Sequence, residues 1–394
     1  MSKIKFKSGI QFLLENSLFL IAGTVVALAM ANLAHHSYHD IIHAEAAPHV
    51  SMHFIVNEIL MCFFFALAAK EIWEALLPGG ALSSPKKAAT PLLATAGGII
   101  GPAGLYVIGA IIFKQQALVR GWAIPCATDI AFSYLVARIV FGQGHPAIPF
   151  LLLLAIADDA AGLIILAVAY PVGEMHLVTF FVCVIGAIAF NLVVVRRLLK
   201  GKSFWLYLIV AAPLSWYGFF KGGIHPALAL VPIIPTLPHA KSDHGYFEGT
   251  EEPDYPHDTL NEFEHWWKNP VELILFLFGF ANAGVAFSAM GLATWLVTGG
   301  LLLGKPIGIG LFTLVAVKAF KLELPAGMNM RDLVVLGFMA GIGFTVALFV
   351  ATVAFPAGEI LDAAKMGSLF SFFAAFLAIA AAKMLGVGRY ASDA

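Results

Sequence analysis

The chain has 394 residues, of which 60% are hydrophobic and only 12% are charged, and its mean hydropathy is +0.88. A soluble domain of this size would carry about twice that charged fraction, so a large soluble core is excluded. The net charge of −1 at pH 7 argues against nucleic acid as a partner. Apolar runs recur along almost the whole length. We therefore predict an all-α polytopic membrane protein, with one transmembrane domain over residues 1–394 and the lipid bilayer as its surroundings.

Twelve apolar segments are predicted to span the membrane. In chain order they are 11–34, 54–76, 90–113, 121–140, 147–170, 176–195, 203–220, 222–236, 270–289, 293–317, 330–354 and 366–387. An even number of spans puts both termini on one side, and most of the 23 Lys and Arg residues fall on that side. Because basic residues collect on the cytoplasmic side, the N- and C-termini are predicted to be cytoplasmic.

Two hydrophilic loops stand out between the predicted spans. The outer loop 35–53 holds six histidines and no Lys or Arg. Its residues His35, His39 and His43 would line one face of a helix and could hold a metal ion, or they belong to a solvated polar loop. The cytoplasmic loop 239–268 is acidic, and it is either a connector or a region that concentrates cations or responds to pH.

Four ionisable residues lie deep within predicted spans: Asp129, Asp158, Asp159 and Lys305. Charges in such places usually mark an ion pathway or a proton relay, although one acid paired with one lysine would also fit a purely structural salt bridge. Three acids against one lysine leave at least one acid without a cationic partner. This excess favours the functional interpretation.

Asp158 and Asp159 are neighbours in the middle of one span, so on a helix their side chains point about 100° apart. One can face a water-filled funnel while the other faces a neighbouring helix and an amine. Burial favours the neutral form of a carboxyl group, and an acid that has lost its proton becomes an oxygen ligand for a small cation. A single carboxylate can thus bind either a proton or a sodium ion, which is sufficient for coupled exchange.

Two predicted spans carry helix-breaking residues near their middle. Pro125 lies four residues before Asp129 in span 121–140, and Gly341 and Gly343 lie within span 330–354. The two breaks occupy corresponding places in two triplets of spans, as expected for an inverted repeat with discontinuous helices. Asp129 could then offset the positive N-terminal ends of the half-helices, and Lys305 the negative C-terminal ends.

Two other functions also use acidic residues within the membrane. An intramembrane aspartyl protease needs two carboxylates facing each other, which adjacent residues on one helix cannot provide, although Asp129 could face Asp159. A proton-coupled antiporter for another cation such as K⁺ is the stronger alternative. Both interpretations make the protein depend on the same buried acids.

Six segments resemble the NhaA family of sodium/proton antiporters, in the family's order and over nearly the whole chain. They are "PCATDIAF" (125–132), "LAIADDAAGLI" (154–164), "GGIHPALA" (222–229), "FANAGV" (280–285), "LLLGKPIGI" (301–309) and "GIGFTVALF" (341–349). The resemblance implies a fold in which two discontinuous helices cross. It also implies a secondary active transporter of the bacterial cell inner membrane, not an enzyme, with no cofactor.

By this resemblance Asp159 is the principal cation ligand, and Asp158 is its partner in binding or in a salt bridge with Lys305. Thr128 and Asp129 belong to the assembly of crossed helices. The implied transport exchanges external protons for cytoplasmic Na⁺ or Li⁺ and is electrogenic, because more protons than sodium ions move. The second proton is carried by either Asp158 or Lys305.

The chain also departs from the family pattern. The family's first outer loop forms a β-hairpin that joins two protomers, and the shorter loop 35–53 argues against a homodimer of that kind. Glu71, Glu264 and His225 match positions linked in the family to pH response, but the residues after Glu71 differ from the usual Glu-Val-Lys-Arg-Glu. His225, next to Pro226, is equally explained as a helix cap.

Overall fold

The computed structural model describes residues 18–47, 50–239 and 258–389, and regular structure within these ranges is almost entirely helical. Two short strands, Glu45–Ala47 and Val50–Ser51, pair antiparallel. The helices pack around a buried core of apolar side chains drawn from nearly every element. The buried polar side chains discussed below lie inside this core.

The α-helices follow one another with short connections. In chain order they are Leu18–Leu33, His35–His43, Met52–Phe54, Met61–Leu76, Pro85–Ile112, Ile130–Phe141, Ala147–Ala169, Leu177–Ala189, Phe204–Leu208, Ala211–Gly222, Thr259–Asn282, Leu292–Gly299, Lys305–Lys318, Met330–Ala340, Phe344–Ala354, Glu359–Phe370 and Phe373–Leu385. Wider π-helical turns occur at Ile55–Leu60, Phe190–Leu198 and Gly300–Gly304, each continuous with an α-helix. Tighter 3₁₀ turns occur at Gln116–Gly121, Ile124–Cys126, Pro226–Leu228, Ile234–Thr236 and Phe287–Ala289.

Six described helices are long and apolar enough to cross a membrane: Met52–Leu76, Ala88–Ile112, Ala147–Ala169, Leu177–Leu198, Leu292–Lys318 and Glu359–Leu385. Two further spans are pairs of helices bent at a break. Gln116–Cys126 and Ile130–Phe141 meet at 52°, and Met330–Ala340 and Phe344–Ala354 meet at 48°. These eight elements correspond to eight of the twelve predicted spans, and the two bent pairs are the two that we predicted to be broken.

The other predicted spans are less regular in the structure. The helix Leu18–Leu33 covers only the second part of predicted span 11–34, because residues 11–17 lie outside the described ranges. Predicted span 203–220 is divided between Phe204–Leu208 and Ala211–Gly222. The twelve-span count therefore remains a prediction.

Predicted span 222–236 contains no α-helix after Gly222. After Gly222, its regular secondary structure consists of the 3₁₀ turns Pro226–Leu228 and Ile234–Thr236. The prolines in this stretch lack the N–H group that an α-helical hydrogen bond needs; they are Pro226, Pro232 and Pro235. The segment is buried all the same, because it packs inside the bundle.

The last third of the predicted acidic loop 239–268 is helical, whereas residues 240–257 lie outside the described ranges. The helix Thr259–Asn282 begins there because the Asp258 carboxylate accepts hydrogen bonds from the backbone N–H groups of Leu260 and Asn261, both at 3.1 Å. Such an N-cap satisfies donors that the first helical turn leaves free. The predicted span 270–289 is therefore the end of a helix that starts about eleven residues earlier and stops at Asn282.

The His-rich outer segment is also more ordered than a loop. His35–His43 is a helix, and the two short strands follow it. His39 and His43 stack on each other with ring centroids 4.1 Å apart. The described part of the chain contains no group of three His, Cys, Asp or Glu side chains able to hold a metal ion. The metal site predicted at His35, His39 and His43 is therefore not formed in this structure, because helical spacing alone does not converge three rings on one point.

Glycines bring the helices Pro85–Ile112 and Lys305–Lys318 into close contact. A Cβ atom added to Gly308 would lie 2.0 Å from the Gly97 carbonyl oxygen, and one added to Gly97 would lie 2.2 Å from the Gly308 carbonyl oxygen. Only glycine permits backbones to approach so closely, as is common between membrane helices. The close approach fixes the position of Lys305, the first residue of its helix.

Candidate functional site

The two broken spans meet at their breaks. The Asp129 backbone N–H donates to the Ile342 carbonyl at 2.6 Å. The hydroxyl groups of Thr128 and Ser133 donate to the carbonyls of Ala340 and Met339, at 3.0 and 2.8 Å. The other broken span thus supplies donors to the carbonyls of Ala340 and Ile342 at the break, and a second donor to the Met339 carbonyl, which also accepts from the Ile342 N–H at 3.1 Å.

The predicted break-forming residues lie at these points. Pro125 belongs to the short 3₁₀ turn Ile124–Cys126 that ends the first half-helix. A Cβ on Gly341 would lie 2.5 Å from the Leu301 carbonyl oxygen, and one on Gly343 would lie 3.0 Å from the Ala127 carbonyl oxygen. Glycine is therefore required here by the close approach of neighbouring backbones.

Asp129 lies at the N-termini of two half-helices. Its carboxylate accepts hydrogen bonds from the backbone N–H of Phe132 at 3.2 Å and of Thr345 at 3.3 Å, and from the Thr345 hydroxyl. These residues stand in the first turns of Ile130–Phe141 and Phe344–Ala354. A negative charge at two positive helix ends is electrostatically favourable, as the sequence predicted. Three donors on one carboxylate also give no support to the aspartyl protease alternative.

Asp158 and Lys305 form a buried ion pair. The Lys305 Nζ atom lies 2.8 Å from Asp158 Oδ2, and the two side chains are 0% and 1% exposed. The Thr128 hydroxyl lies 2.7 Å from the same carboxylate oxygen, and its single proton is shared between this oxygen and the Ala340 carbonyl. Lys305 also donates to the carbonyl of Cys126, which is the last residue of the 3₁₀ turn Ile124–Cys126. The ammonium thus meets the negative end of the first half-helix, and Asp158 is the aspartate that faces an amine.

Asp159 points elsewhere. It lines a pocket with Asp158, and the remaining wall is mostly apolar, formed by Phe64, Phe65, Ala68, Ile99, Ala123, Cys126, Ala127, Gly162, Leu163, Ile165, Leu166, Val346 and Val350. Within the described residues its carboxylate has no hydrogen bond or ion pair. It does interact electrostatically with Asp158, Asp129, Lys305 and Glu71. Among the described residues, Asp159 is therefore the mid-span acid with both carboxylate oxygens free for a ligand, whereas Asp158 has only Oδ1 free.

Two of the predicted pH-response residues belong to one charge cluster. Buried Lys70 pairs with Glu74 at 2.6 Å and also with Glu264 on the helix Thr259–Asn282. Glu71 is the next residue along the chain and interacts electrostatically with these groups. Sequence reasoning missed Lys70. The signal was a lysine four residues before Glu74, the spacing of a helical ion pair, inside an apolar run.

His225 lies in a different place. Its Nδ1 atom accepts from the backbone N–H of Ala227 at 3.3 Å, so it caps the turn Pro226–Leu228. Its Nε2 atom lies 3.5 Å from Glu58 Oε1. Thirteen residues of helix, about 20 Å, separate Glu58 from Glu71. The three predicted pH-response residues therefore do not form one cluster.

Comparison with known proteins identifies the family of this chain. The family model described as Na⁺/H⁺ antiporter 1 matches residues 11–383. The Na(+)/H(+) antiporter NhaA of Jannaschia sp. (strain CCS1) is 50% identical over 417 residues, covering 96% of this chain and 98% of the relative. The Na(+)/H(+) antiporter NhaA of Geotalea uraniireducens (strain Rf4) is 48% identical over 380 residues, covering 96% and 97%.

The corresponding protein of Geobacter metallireducens (strain ATCC 53774 / DSM 7210 / GS-15) is 48% identical over 386 residues, covering 96% of this chain and 98% of the relative. The family model covers all six of the segments that resemble the NhaA family, since it matches residues 11–383. The motifs that carry the resemblance are therefore parts of one continuous similarity. The chain is an integral membrane protein and belongs to the Na⁺/H⁺ antiporter 1 family.

Proposed function

We propose that this protein exchanges cytoplasmic Na⁺ for external H⁺ by competition of the two ions for Asp159. The observation that carries the proposal is the contrast between two adjacent acids. Asp158 is bonded to Lys305 and Thr128, whereas the Asp159 carboxylate faces a pocket without a partner among the described residues. An acid in that position can hold one small cation or one proton at a time.

Competition follows from the chemistry of a carboxylate. Its deprotonated oxygens are hard ligands that suit Na⁺ and Li⁺, and protonation removes both the charge and the ligand. Asp158 Oδ1 is buried and has no hydrogen-bond partner in the described part of the chain, so this oxygen is also available to a cation in the pocket. Thr128 orients Asp158 through its hydroxyl and completes the proposed cation site.

Electrogenic exchange requires a second proton for each sodium ion. We assign it to the Asp158–Lys305 pair, because the pair lies next to Asp159 and interacts with it electrostatically. If Lys305 carries this proton, a cation on Asp159 repels the ammonium, Lys305 releases the proton, and Lys305 takes up a proton again on the return step. If Asp158 carries it, Asp158 releases the proton as it pairs with Lys305 and takes one up when the pair separates. Whether the proton sits on Asp158 or on Lys305 is left open by this assignment.

Alternating access is proposed to use the two broken spans. Their contacts at the breaks consist of hydrogen bonds from Thr128, Ser133 and Asp129, and of glycine contacts. Asp129 stabilises both half-helix N-termini without taking part in cation binding. When either ion neutralises Asp159, the broken spans can move and expose the site to the other side of the membrane. When the site is empty, Asp159 is charged, and the site stays open to the same side.

The proposed setting is a bacterial inner membrane, with both termini in the cytoplasm. The Lys70 cluster then lies towards the cytoplasm, and the His-rich segment lies outside. The strands Glu45–Ala47 and Val50–Ser51 pair over only a few residues. Their free edge is therefore short, and few backbone groups could pair with a second protomer. A homodimer, if formed, is expected to depend on other surfaces as well.

Purified protein in proteoliposomes tests the proposal. With an imposed pH gradient, Na⁺ and Li⁺ added outside are expected to dissipate the gradient, whereas K⁺ is not. Asp159→Asn is expected to abolish the response to every ion. Exchange driven by K⁺ alone would favour the alternative of an antiporter for another cation, and unchanged exchange by Asp159→Asn would overturn the proposed site.

A further inference from the structure

The first half of one bent span, Gln116–Cys126, has a gap in its backbone hydrogen bonds. It consists of two 3₁₀ turns, Gln116–Gly121 and Ile124–Cys126. Between these turns, the next bond of a 3₁₀ ladder would run from the Ala123 N–H to the Arg120 carbonyl, three residues earlier. The backbone of this described segment does not form that bond. In a buried segment, the N–H and the carbonyl then need another partner.

The hydroxyl group of Tyr170 lies in this gap. It donates to the Arg120 carbonyl at 2.7 Å and accepts from the Ala123 N–H at 3.4 Å. A tyrosine hydroxyl has one proton to donate and lone pairs to accept with, so it can make both bonds at once. Tyr170 is only 1% exposed, so bulk water has little access to these bonds. The tyrosine therefore replaces the missing backbone bond and joins the two turns.

Tyr170 belongs to the span that carries the two adjacent acids. It directly follows the helix Ala147–Ala169 and lies eleven residues after Asp159, about 16 Å along a helix. The same span contacts the bent span a second time, because Asp158 lies 2.7 Å from the Thr128 hydroxyl. The backbone before Thr128 is thus held at two places by one span.

The backbone between these two contacts forms part of the wall of the proposed cation site. Ala123, Cys126 and Ala127 line the same pocket as Asp159. The Cys126 carbonyl also accepts from the Lys305 ammonium. The position of this short segment therefore affects both the shape of the pocket and the location of its positive charge.

We infer that Tyr170 is a positioning residue of the proposed cation site, an inference that rests on the exchange proposed at Asp159. Its hydroxyl fixes the turn Ile124–Cys126 relative to the span that carries the acids. If the turn shifts, the Lys305 ammonium loses a fixed partner, and its 2.8 Å contact with Asp158 is no longer held in place. Tyr170 thus acts on cation affinity through the backbone of the turn, without touching the ion.

A second buried tyrosine offers a matched control. Tyr106 is 0% exposed, and its hydroxyl has no hydrogen-bond partner in the described part of the chain. It interacts electrostatically with Tyr170. A Cβ atom on Gly121 would lie 2.5 Å from the Tyr106 hydroxyl oxygen, so this ring contacts the same half-helix. Replacing Tyr106 with phenylalanine therefore removes the same atom from the same surroundings but breaks no hydrogen bond of the half-helix.

Sodium-dependent exchange in proteoliposomes tests the inference with the wild type, Tyr170→Phe and Tyr106→Phe. We expect the KM for Na⁺ to rise several-fold in Tyr170→Phe and to stay at the wild-type value in Tyr106→Phe. A purely structural role of the hydroxyl would lower the Tm and leave this KM unchanged. A wild-type KM in Tyr170→Phe, or the same rise in both variants, would overturn the inference while leaving exchange by the wild type intact. A wild type that exchanges no Na⁺ would overturn the proposed function and this inference together.

Hydrogen exchange of the purified full-length proteins provides a second readout that does not depend on transport. Peptides that cover residues 118–128 are expected to exchange several-fold faster in Tyr170→Phe than in the wild type and in Tyr106→Phe. Peptides from the helix Leu177–Ala189 serve as the internal reference and should not change. Equal protection of residues 118–128 in the wild type and Tyr170→Phe would show that the hydroxyl does not hold the turn, and would overturn the inference.

Discussion

The Lys305 ammonium lies 2.8 Å from the Asp158 carboxylate, and both side chains are almost completely buried. The pair stands where the first half-helix ends, since Lys305 also donates to the Cys126 carbonyl. It explains how two adjacent aspartates have different tasks. Asp158 is engaged by an amine and a hydroxyl, and Asp159 is left to face the pocket.

Removing one member of this pair is expected to be more harmful than removing both. Lys305→Met leaves a buried carboxylate without its cation, which typically costs about 3–5 kcal/mol of folding free energy. The double variant Asp158→Asn/Lys305→Met removes the stranded charge as well. We expect it to recover part of the stability lost in Lys305→Met, as measured by thermal unfolding in detergent. A double variant less stable than the single one would show that the charges do not compensate each other.

Asp129 is expected to act on helix ends and not as a cation ligand. Asp129→Asn keeps the shape but removes the charge at two helix N-termini, worth about 0.3–2 kcal/mol at each. We predict impaired exchange with Na⁺ binding retained, measured by calorimetry on purified protein. Loss of Na⁺ binding in this variant would place Asp129 in the binding site.

Thr345 offers a matched test of the same contact. Thr345→Val removes the hydroxyl that donates to Asp129, whereas Thr352→Val removes a hydroxyl that donates within its own helix, to Phe349 at 2.7 Å. We expect slower exchange only in Thr345→Val. Equally slow exchange in both variants would contradict this prediction, because the effect would then come from replacing any threonine of this helix and not from the contact with Asp129.

Lys70 is predicted to hold Glu74 and Glu264 together across two helices. Lys70→Met takes away the ammonium between two carboxylates, at a cost of about 3 kcal/mol. In Lys70→Met the carboxylates of Glu74 and Glu264 repel each other, and this repulsion falls when one of them is protonated. The loss of stability should therefore be largest at alkaline pH and become smaller on acidification. Lys70→Arg keeps the charge and serves as the control. A loss of Tm that does not vary with pH would contradict a charge-based role.

The glycine contact between Pro85–Ile112 and Lys305–Lys318 gives a prediction with an internal control. Gly308→Ala forces a methyl group against the Gly97 carbonyl, and overpacking of this kind typically costs about 1–3 kcal/mol. A Cβ on Gly310, two residues away on the same helix, meets nothing within 4 Å. We expect a lower Tm for Gly308→Ala and little change for Gly310→Ala. Similar values for both would argue that the helices do not pack so closely.

The sequence predicted the parts of the site that depend on local chemistry. We predicted two breaks from Pro125, Gly341 and Gly343, because proline lacks a backbone N–H and glycine lacks a Cβ atom. The structure bends the chain at both places. The adjacency of Asp158 and Asp159 predicted that their roles differ. It could not say which of them faces Lys305, because that depends on the orientation of a helix relative to segments about 150 residues away.

Other features needed three-dimensional contacts. The helical periodicity of His35, His39 and His43 suggested a metal site, yet a shared helix face does not bring three rings to one ion. The spacing of Lys70 and Glu74 indicates a pair within one helix, but the second partner, Glu264, comes from a distant helix that the sequence does not place there. Segment 222–236 is apolar enough to be a span, but its prolines and its packing against neighbouring elements produce 3₁₀ turns.

The central claim is that Na⁺ and H⁺ compete for the carboxylate of Asp159. The most direct measurement adds NaCl to purified protein in a weakly buffered solution and follows proton release with a pH indicator, with choline chloride as the salt control. We expect Na⁺ to release protons from the wild type and to release none from Asp159→Asn. Sodium binding without proton release in the wild type, or equal release in Asp159→Asn, would contradict it.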